Sequence, residues 1–282
     1  MTNILVTGAT GNVGREVIKF LIDEDVTVFA ADINPEIVKI RFGDDVQFRK
    51  LDFYDPTTFE SSLEGMGRVF LMRPPQIGKV KKYMFPFIDL IKKKGIKHVV
   101  TLSIADAMPF VPHYKIEKYL EKSKIIYTHI RAGYFMQNLS TTHKEVIQKE
   151  KDIFIPAGDG KISFTDARDI AEVAATILMK GTHKNRTLKI TGDAAHNFYE
   201  VAEKMSSITN QPIKYSNPTG KEFKKKMLSY KFDKGMVRIM GFIYSAIKNH
   251  KSDKTYPDFK KLLKKDPITI DQYIEDYAEN WL

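Results

Sequence analysis

The chain has no cysteine among its 282 residues. That excludes disulfides, thiolate nucleophiles, iron–sulfur clusters and cysteine-containing zinc sites. Long apolar runs are missing too. The longest, Met236 to Ile247, covers about twelve positions and is broken by Arg238, well short of the roughly 20 residues that a membrane-spanning helix needs. None of the seven histidines forms an HxxxH pair, and no metal site is expected. No basic leader precedes the strand-like ILVTG, so no signal peptide is expected and the address read from the sequence is cytoplasmic. What is present is ordinary for a globular chain, 43% hydrophobic and 28% charged. The length allows one large domain or two modest ones with a sizeable core.

The formal charge of +10 is unevenly spread. Lys221 to Lys265 holds 14 basic residues against four acids, and the remainder balances at 31 of each sign. The lysines in KEFKKKM and HKSDKTY have no aromatic interleave and no base-reading motif, so the segment reads as a solvated Lys-rich surface. A nucleic-acid partner is not expected.

Short β-branched runs alternate with helix-length amphipathic stretches over the first two-thirds. The strand candidates are Ile4 to Thr7, Val26 to Ala31, Val46 to Leu51, Val69 to Met72, His98 to Leu102 and Ile125 to Arg131. Their nearly continuous apolar character is that of strands buried on both faces. Their alternation with helices specifies right-handed crossovers and an open parallel sheet. After about residue 150 the pattern loosens into Ile162 to Phe164, Thr187 to Thr191 and Ile213 to Tyr215, with several helices.

The segment Ile4-Leu5-Val6-Thr7-Gly8-Ala9-Thr10-Gly11-Asn12-Val13-Gly14 runs from a strand through a glycine turn into a helical pattern, Arg15 to Leu21. Gly8 permits the tight turn, Gly11 lets backbone amides approach a pyrophosphate, and Gly14 lets the helix pack close to the strand. Gly8, Thr10, Gly11, Asn12, Val13 and Gly14 are the expected dinucleotide cradle. The fold class expected is α/β, a Rossmann-type doubly wound parallel sheet with a smaller C-terminal α/β lobe. Residues 1–150 would form the dinucleotide-binding domain, and 151–282 a substrate lobe partly interleaved with the sheet.

The G-x-x-G-x-x-G spacing resembles the atypical short-chain dehydrogenases, and within them the NmrA-like group with its quinone reductase-like and triphenylmethane reductase-like members. The resemblance continues through His113 to Glu117, Tyr127 to Asn138, Ile155 to Lys161, Asp166 to Ala171 and Pro267 to Tyr273, in the family's order and spacing.

Asp32 stands eighteen residues past Gly14 at the end of the second strand. With Ile33 it is expected to border the adenosine ribose, where a carboxylate accepts hydroxyl hydrogen bonds and repels a 2′-phosphate. NAD(P)H is the expected cofactor, with NAD slightly favoured over NADP. Similar family members often place an arginine at this strand end. Lys39 and Arg41 follow closely enough to swing in, and Asp32 capping the helix near Pro35 stays an alternative. Asp52 and Phe53 would flank adenine after the third strand. Met72, Arg73 and Pro74 after the fourth would lie along the inner ribose and phosphates, with Arg73 merely anchoring the sheet edge as the alternative.

Ordinary short-chain dehydrogenases use a Tyr-x-x-x-Lys pair, and Tyr114 to Lys118 is a literal match. Family register argues against it. Counting back from Arg131 identifies Glu117 as the helix glutamate that follows the lysine position by four residues. His113 then takes the lysine position and Pro109 the tyrosine position. The resemblance implies that His113 touches the nicotinamide ribose or carboxamide and polarises the acceptor, making it the candidate catalytic residue. Merely ordering the helix start is the alternative. The resemblance puts Ser103 near the nicotinamide, with a hydrogen bond to the loop Ile104 to Pro112 as the alternative. After the sixth strand, Gly133 would let backbone approach the nicotinamide amide, and Tyr134, Phe135 and Met136 would form a flat wall. Phe232, Met236, Met240, Phe242 and Tyr244 form either an opposite wall or lobe core. Asp166 to Ala171 reads as a helix start that caps and attaches the lobe.

Two functions follow. One is an NAD(P)H-dependent reductase passing hydride to a small flat quinone-like or dye-like acceptor. The other is a non-catalytic NAD(P)-binding redox-sensing regulator with a protein partner. Nucleic-acid binding through Lys221 to Lys265 ranks behind both, and no membrane association is expected.

Overall fold

The computed structural model describes residues 1–105 and 107–282. Its strands are β1 (Thr2–Thr7), β2 (Val26–Asp32), β3 (Gln47–Lys50), β4 (Arg68–Leu71), β5 (His98–Ile104), β6 (Tyr127–Ala132), β7 (Tyr134–Phe135), β8 (Asp152–Ile153), β9 (Ile162–Thr165), β10 (Arg186–Ile190), β11 (Ala195–His196) and β12 (Lys214–Tyr215). The helices begin with α1 (Gly14–Lys19), α2 (Pro35–Phe42), α3 (Phe59–Ser62), α4 (Val80–Tyr83), α5 (Phe85–Lys93) and α6 (Pro112–Lys122). They continue with α7 (Lys144–Glu150), α8 (Ala167–Lys180), α9 (Phe198–Thr209), α10 (Gly220–Ser229), α11 (Lys234–Lys248), α12 (Asp258–Leu263) and α13 (Ile270–Tyr277).

Two compact units share the chain, Met1–Ala132 with Ala167–Ile190 and Gly133–Asp166 with Thr191–Leu282. The division expected at residue 150 differs from this. Residues 133–150 belong to the second unit, and α8 and β10 return to the first. The strand read at Thr187 to Thr191 is therefore not a lobe strand: as β10 it pairs in parallel with β6 at the edge of the main sheet. Only Ile190 of its five residues is fully buried, so its sequence carries little of the apolar signal of an interior strand.

The first unit is a seven-stranded sheet in the order β10-β6-β5-β4-β1-β2-β3, every neighbouring pair parallel. β1, β4 and β5 are buried on both faces because alternate residues point to opposite sides. Leu5, Val69, Leu71 and Val99 meet Phe59, Phe87, Ile88 and Ile116 in one core. α1 and α8 pack together, α1 on β1 and α8 on β4, β5 and β6. Chain order reverses between β1 and β4, the switch point at which sheets of this class bind ligands. The helices start where local chemistry dictates. Asn34 accepts from the Glu36 and Ile37 amides with Pro35 at the first turn of α2, and Pro112 opens α6.

The second unit holds a three-stranded sheet β11-β9-β7 and a two-stranded pair β12-β8. Its core gathers Phe164, Phe198, Tyr244, Tyr273 and Trp281, and capping boxes at Asn197/Glu200 and Thr219/Glu222 fix the starts of α9 and α10. Among the described residues, no helix is long and apolar enough to cross a membrane.

Candidate functional site

The glycine loop leaves the carboxyl end of β1 beside that of β4, and the two ends are tied by the Met72 amide donating to Thr7 Oγ1 at 2.8 Å. Gly8 adopts φ +62°, and a Cβ there would lie 2.1 Å from Met72 Cε. A Cβ on Gly14 would strike Gly8 O at 2.2 Å, so the helix start sits directly against the turn. At Gly11 the nearest atoms, Gly8 O and Met72 Cε, would stand at 3.2 Å. The Asn12 and Val13 amides have no acceptor among the described residues. This is a tight backbone cradle with donors to spare, the arrangement a pyrophosphate requires.

Thr10 is the hub of the adjoining corner. Its amide and Oγ1 both donate to Asp32 Oδ2, at 3.0 and 2.7 Å, while Asp32 Oδ1 accepts from the Ile33 amide at 2.8 Å. The Thr10 carbonyl accepts from Arg41 Nη1 of α2. Asp32 thus latches the loop to β2 and does not cap α2; that role falls to Asn34. Ile33 beside it is 63% exposed.

After β3, Asp52 Oδ1 accepts from the Tyr54 amide at 2.8 Å. Phe53 is only 6% exposed and meets Phe87 and Phe59 edge-on at 5.3 and 6.2 Å. Its ring is committed to the core, which corrects its reading as an adenine wall. After β4, Arg73 Nη1 donates to the carbonyls of Pro74, Pro75 and Ile77 at 3.0, 3.0 and 2.9 Å. Its Nε donates to His113 Nε2 at 3.4 Å.

That bond fixes the His113 tautomer: Nε2 accepts, so Nδ1 carries the proton, and Nδ1 is buried without a partner. Burial, reinforced by the Arg73 charge, pushes the His113 pKa down to about 3, so the imidazole is neutral. One turn along α6, Glu117 is 1% exposed and takes a bidentate grip from Arg131 of β6 at 3.0 and 2.6 Å. Burial pushes the Glu117 carboxyl up, but the Arg131 guanidinium outweighs it and holds it below the usual range, helped by nearby Ser103. Ser103 Oγ itself is buried and makes no hydrogen bond of ordinary geometry. Tyr114 turns another way: Lys118 Nζ stands over its ring at 5.5 Å, in a groove shared with Lys81, Phe85 and Tyr119. His113 thus meets the strand-end residue Arg73, and the literal Tyr-x-x-x-Lys pair does not.

The chain matches the NmrA-like family profile over residues 1–277. It belongs to the NmrA-like family. Prestalk A differentiation protein A of Dictyostelium discoideum is 29% identical over 281 residues, 99% of this chain and 93% of that protein. The NAD(P)H azoreductase of Xenophilus azovorans is 29% identical over 249 residues, 86% of each chain. Quinone oxidoreductase 2 of Escherichia coli is 28% identical over 231 residues, 78% of this chain and 79% of that one. Among solved structures, Citrobacter triphenylmethane reductase superposes with a TM-score of 0.87 at 20% identity, covering 99% of this chain and all of that one. The NADPH complex of the E. coli quinone oxidoreductase superposes at 0.86 and 21%, covering 98% and 99%. At these identities the structures establish the shared α/β Rossmann-like fold.

In the second unit of this NmrA-like protein, a Cβ on Gly133 would lie 2.5 Å from Thr165 Oγ1 and 2.6 Å from Ser163 O, so the glycine is required by packing on β9. Tyr134 packs edge-on against Phe164 and Phe198, and its hydroxyl lies 3.3 Å from that of Tyr244, which is 2.6 Å from His143 Nε2. Burial pushes the Tyr134 phenol up to about 12. Phe135 is half-buried, and Met136 belongs to the core. Of the five residues around α11, Met240 and Tyr244 are core, Phe232 and Met236 pack against it and Phe242 is 57% exposed, so four of them follow the lobe-core alternative. Sequence reasoning missed Thr7, whose only signal is a hydroxyl following the apolar run Ile4 to Val6, and the buried His143–Tyr244–Tyr134 chain, in which Tyr244 lies 101 and 110 residues from its two partners.

Proposed function

We propose that this NmrA-like protein is an NAD(P)H-dependent reductase of a small, flat, quinone-like or dye-like acceptor. The observation that carries the reading is the glycine cradle at the switch point between β1 and β4, with unsatisfied amides and no room for side chains. Relatives named as azoreductase and quinone oxidoreductase support the reaction class. NAD(P)H, when bound, supplies the hydride. The chain's own part is positioning: the Gly8–Gly14 loop holds the phosphates, Asp32 and Ile33 border the ribose, and Arg73 locks the 74–77 turn and orients His113. Neutral His113 keeps its Nδ1 proton as a hydrogen-bond donor. An acceptor whose reduced form is a delocalised anion takes its proton from solvent, consistent with Pro109 where a tyrosine acid would stand.

Both cofactors are accepted on this reading. Asp32 disfavours a 2′-phosphate, which keeps NADH in use. Arg41, held at Thr10, offers that phosphate a countercharge. Dissociation constants from titration calorimetry test it. Arg41→Ala should weaken NADPH by roughly tenfold, the value of one charge-assisted hydrogen bond, and NADH little, while Asp32→Ala should strengthen NADPH. Equal losses for both cofactors in Arg41→Ala would refute the assignment.

A regulator that binds the dinucleotide without turning it over is the second reading. It is favoured by the missing tyrosine acid and by a relative named as a differentiation protein. Turnover separates the two, because a sensor leaves the cofactor unchanged when an acceptor is added.

A further inference from the structure

Tyr114 and Lys118 are not used by the function proposed above, and they line a groove of about 190 Å³ beside α4, α5 and α6 of the first unit. Phe85 and Tyr119 supply its aromatic lining, their rings stacked at 3.7 Å and 8°. Lys115, Lys118 and Lys122 follow one another along one side of α6, and Lys81 joins them from α4. Only Lys118 has a carboxylate, Glu121 at 2.6 Å; among the described residues Lys81, Lys115 and Lys122 have no ion-pair partner. Like charges three and four positions apart repel one another along the helix, and Glu121 offsets only the charge of Lys118. The Tyr114 hydroxyl has no hydrogen-bond partner among the described residues either, so a phenolic donor and three uncompensated ammonium groups surround an aromatic lining.

We propose that this groove binds a small planar aromatic anion, its ring against Tyr114, Phe85 and Tyr119 and its phosphate, sulfonate or carboxylate against the lysines. Aromatic edges and faces receive the ring, and ammonium groups and the phenol receive the charged group. A second copy of this chain does not suit the groove, because it would bring the same lysines against these. The groove's small volume suits a bicyclic molecule better than an extended acidic peptide. This site is separate from the dinucleotide cradle and does not depend on the protein being a reductase.

Titration calorimetry on the whole chain tests it, using 1-naphthyl phosphate as probe with 1-naphthol and a Glu-rich peptide as comparisons. The expected result is one saturable site for 1-naphthyl phosphate, with 1-naphthol and the peptide each at least tenfold weaker. The exposed double variant Lys115→Glu/Lys122→Glu, checked for an unchanged melting curve, should lose tenfold or more. If it melts early, Lys81→Glu alone should still lose severalfold. Absence of saturable binding, equal affinity for 1-naphthol, tighter binding of the peptide, or undiminished affinity in the lysine variants would each overturn the proposal.

Discussion

Gly11 and Gly14 do different work although both belong to one motif. A side chain at Gly11 meets the Gly8 carbonyl and the Met72 tip at 3.2 Å, an encroachment of a few tenths of an ångström, whereas at Gly14 it meets backbone at 2.2 Å. Gly11→Val should therefore melt within a few degrees of the parent yet lose saturable NADPH binding in calorimetry. Gly14→Ala should lose about 1–3 kcal/mol in urea unfolding, the usual cost of overpacking. Four buried histidines act together on pH dependence. Burial depresses His98, His129 and His143 to about 4 and His113 to about 3 from 6.5. Because the folded-state values lie below the unfolded one, the native state favours the neutral form. The stability is intact above pH 6.5 and is lost progressively as pH falls toward 4. The melting temperature should drop steeply across that window, and less steeply in His129→Gln; a flat profile would contradict the assignment.

The register of α6 decides the reading of the mechanism. Family spacing fixed Glu117 as the helix glutamate, and the bidentate bond from Arg131 is the physical form of that spacing. Glu117→Gln should cost about 3 kcal/mol, because it leaves the guanidinium without its counter-charge, and urea midpoints would measure it. With Glu117 anchored, His113 meets Arg73 and Tyr114 faces the lysine groove. Reduction rates should then be nearly unchanged in Tyr114→Phe and fall in His113→Ala; the reverse ranking would restore the Tyr-x-x-x-Lys pair. Other elements were less legible. Asn34 caps α2 where Asp32 was the alternative, because two polar residues near a proline fit the same pattern. Phe53 turns inward because the Asp52–Asp55 turn after β3 aims it at Phe59 and Phe87, which alternation alone cannot foretell.

At the scale of the whole molecule, the six strands β1 to β6 were readable because β2, β4 and β5 are mostly apolar and β1 carries the apolar run Ile4 to Val6, and the loop between β1 and α1 announces itself by its glycines. Some interleaving of the later residues with the sheet was expected, but that α8 and β10 are the elements that return was not readable. No composition change marks the crossings at Ala132 and Ala167, and an edge strand with one fully buried residue resembles a lobe strand. The two-residue strands β7, β8, β11 and β12 are too short to show a period. The central claim is that this fold transfers hydride from a reduced nicotinamide dinucleotide to a flat acceptor. The most direct measurement is the absorbance of NADPH and NADH at 340 nm when the protein is mixed with a naphthoquinone and, separately, an azo dye. Turnover that saturates in cofactor, scales with protein and disappears in Gly11→Val is the predicted result. Saturable cofactor binding with no loss of absorbance above the protein-free rate, for either acceptor and either cofactor, would contradict it and favour the regulator.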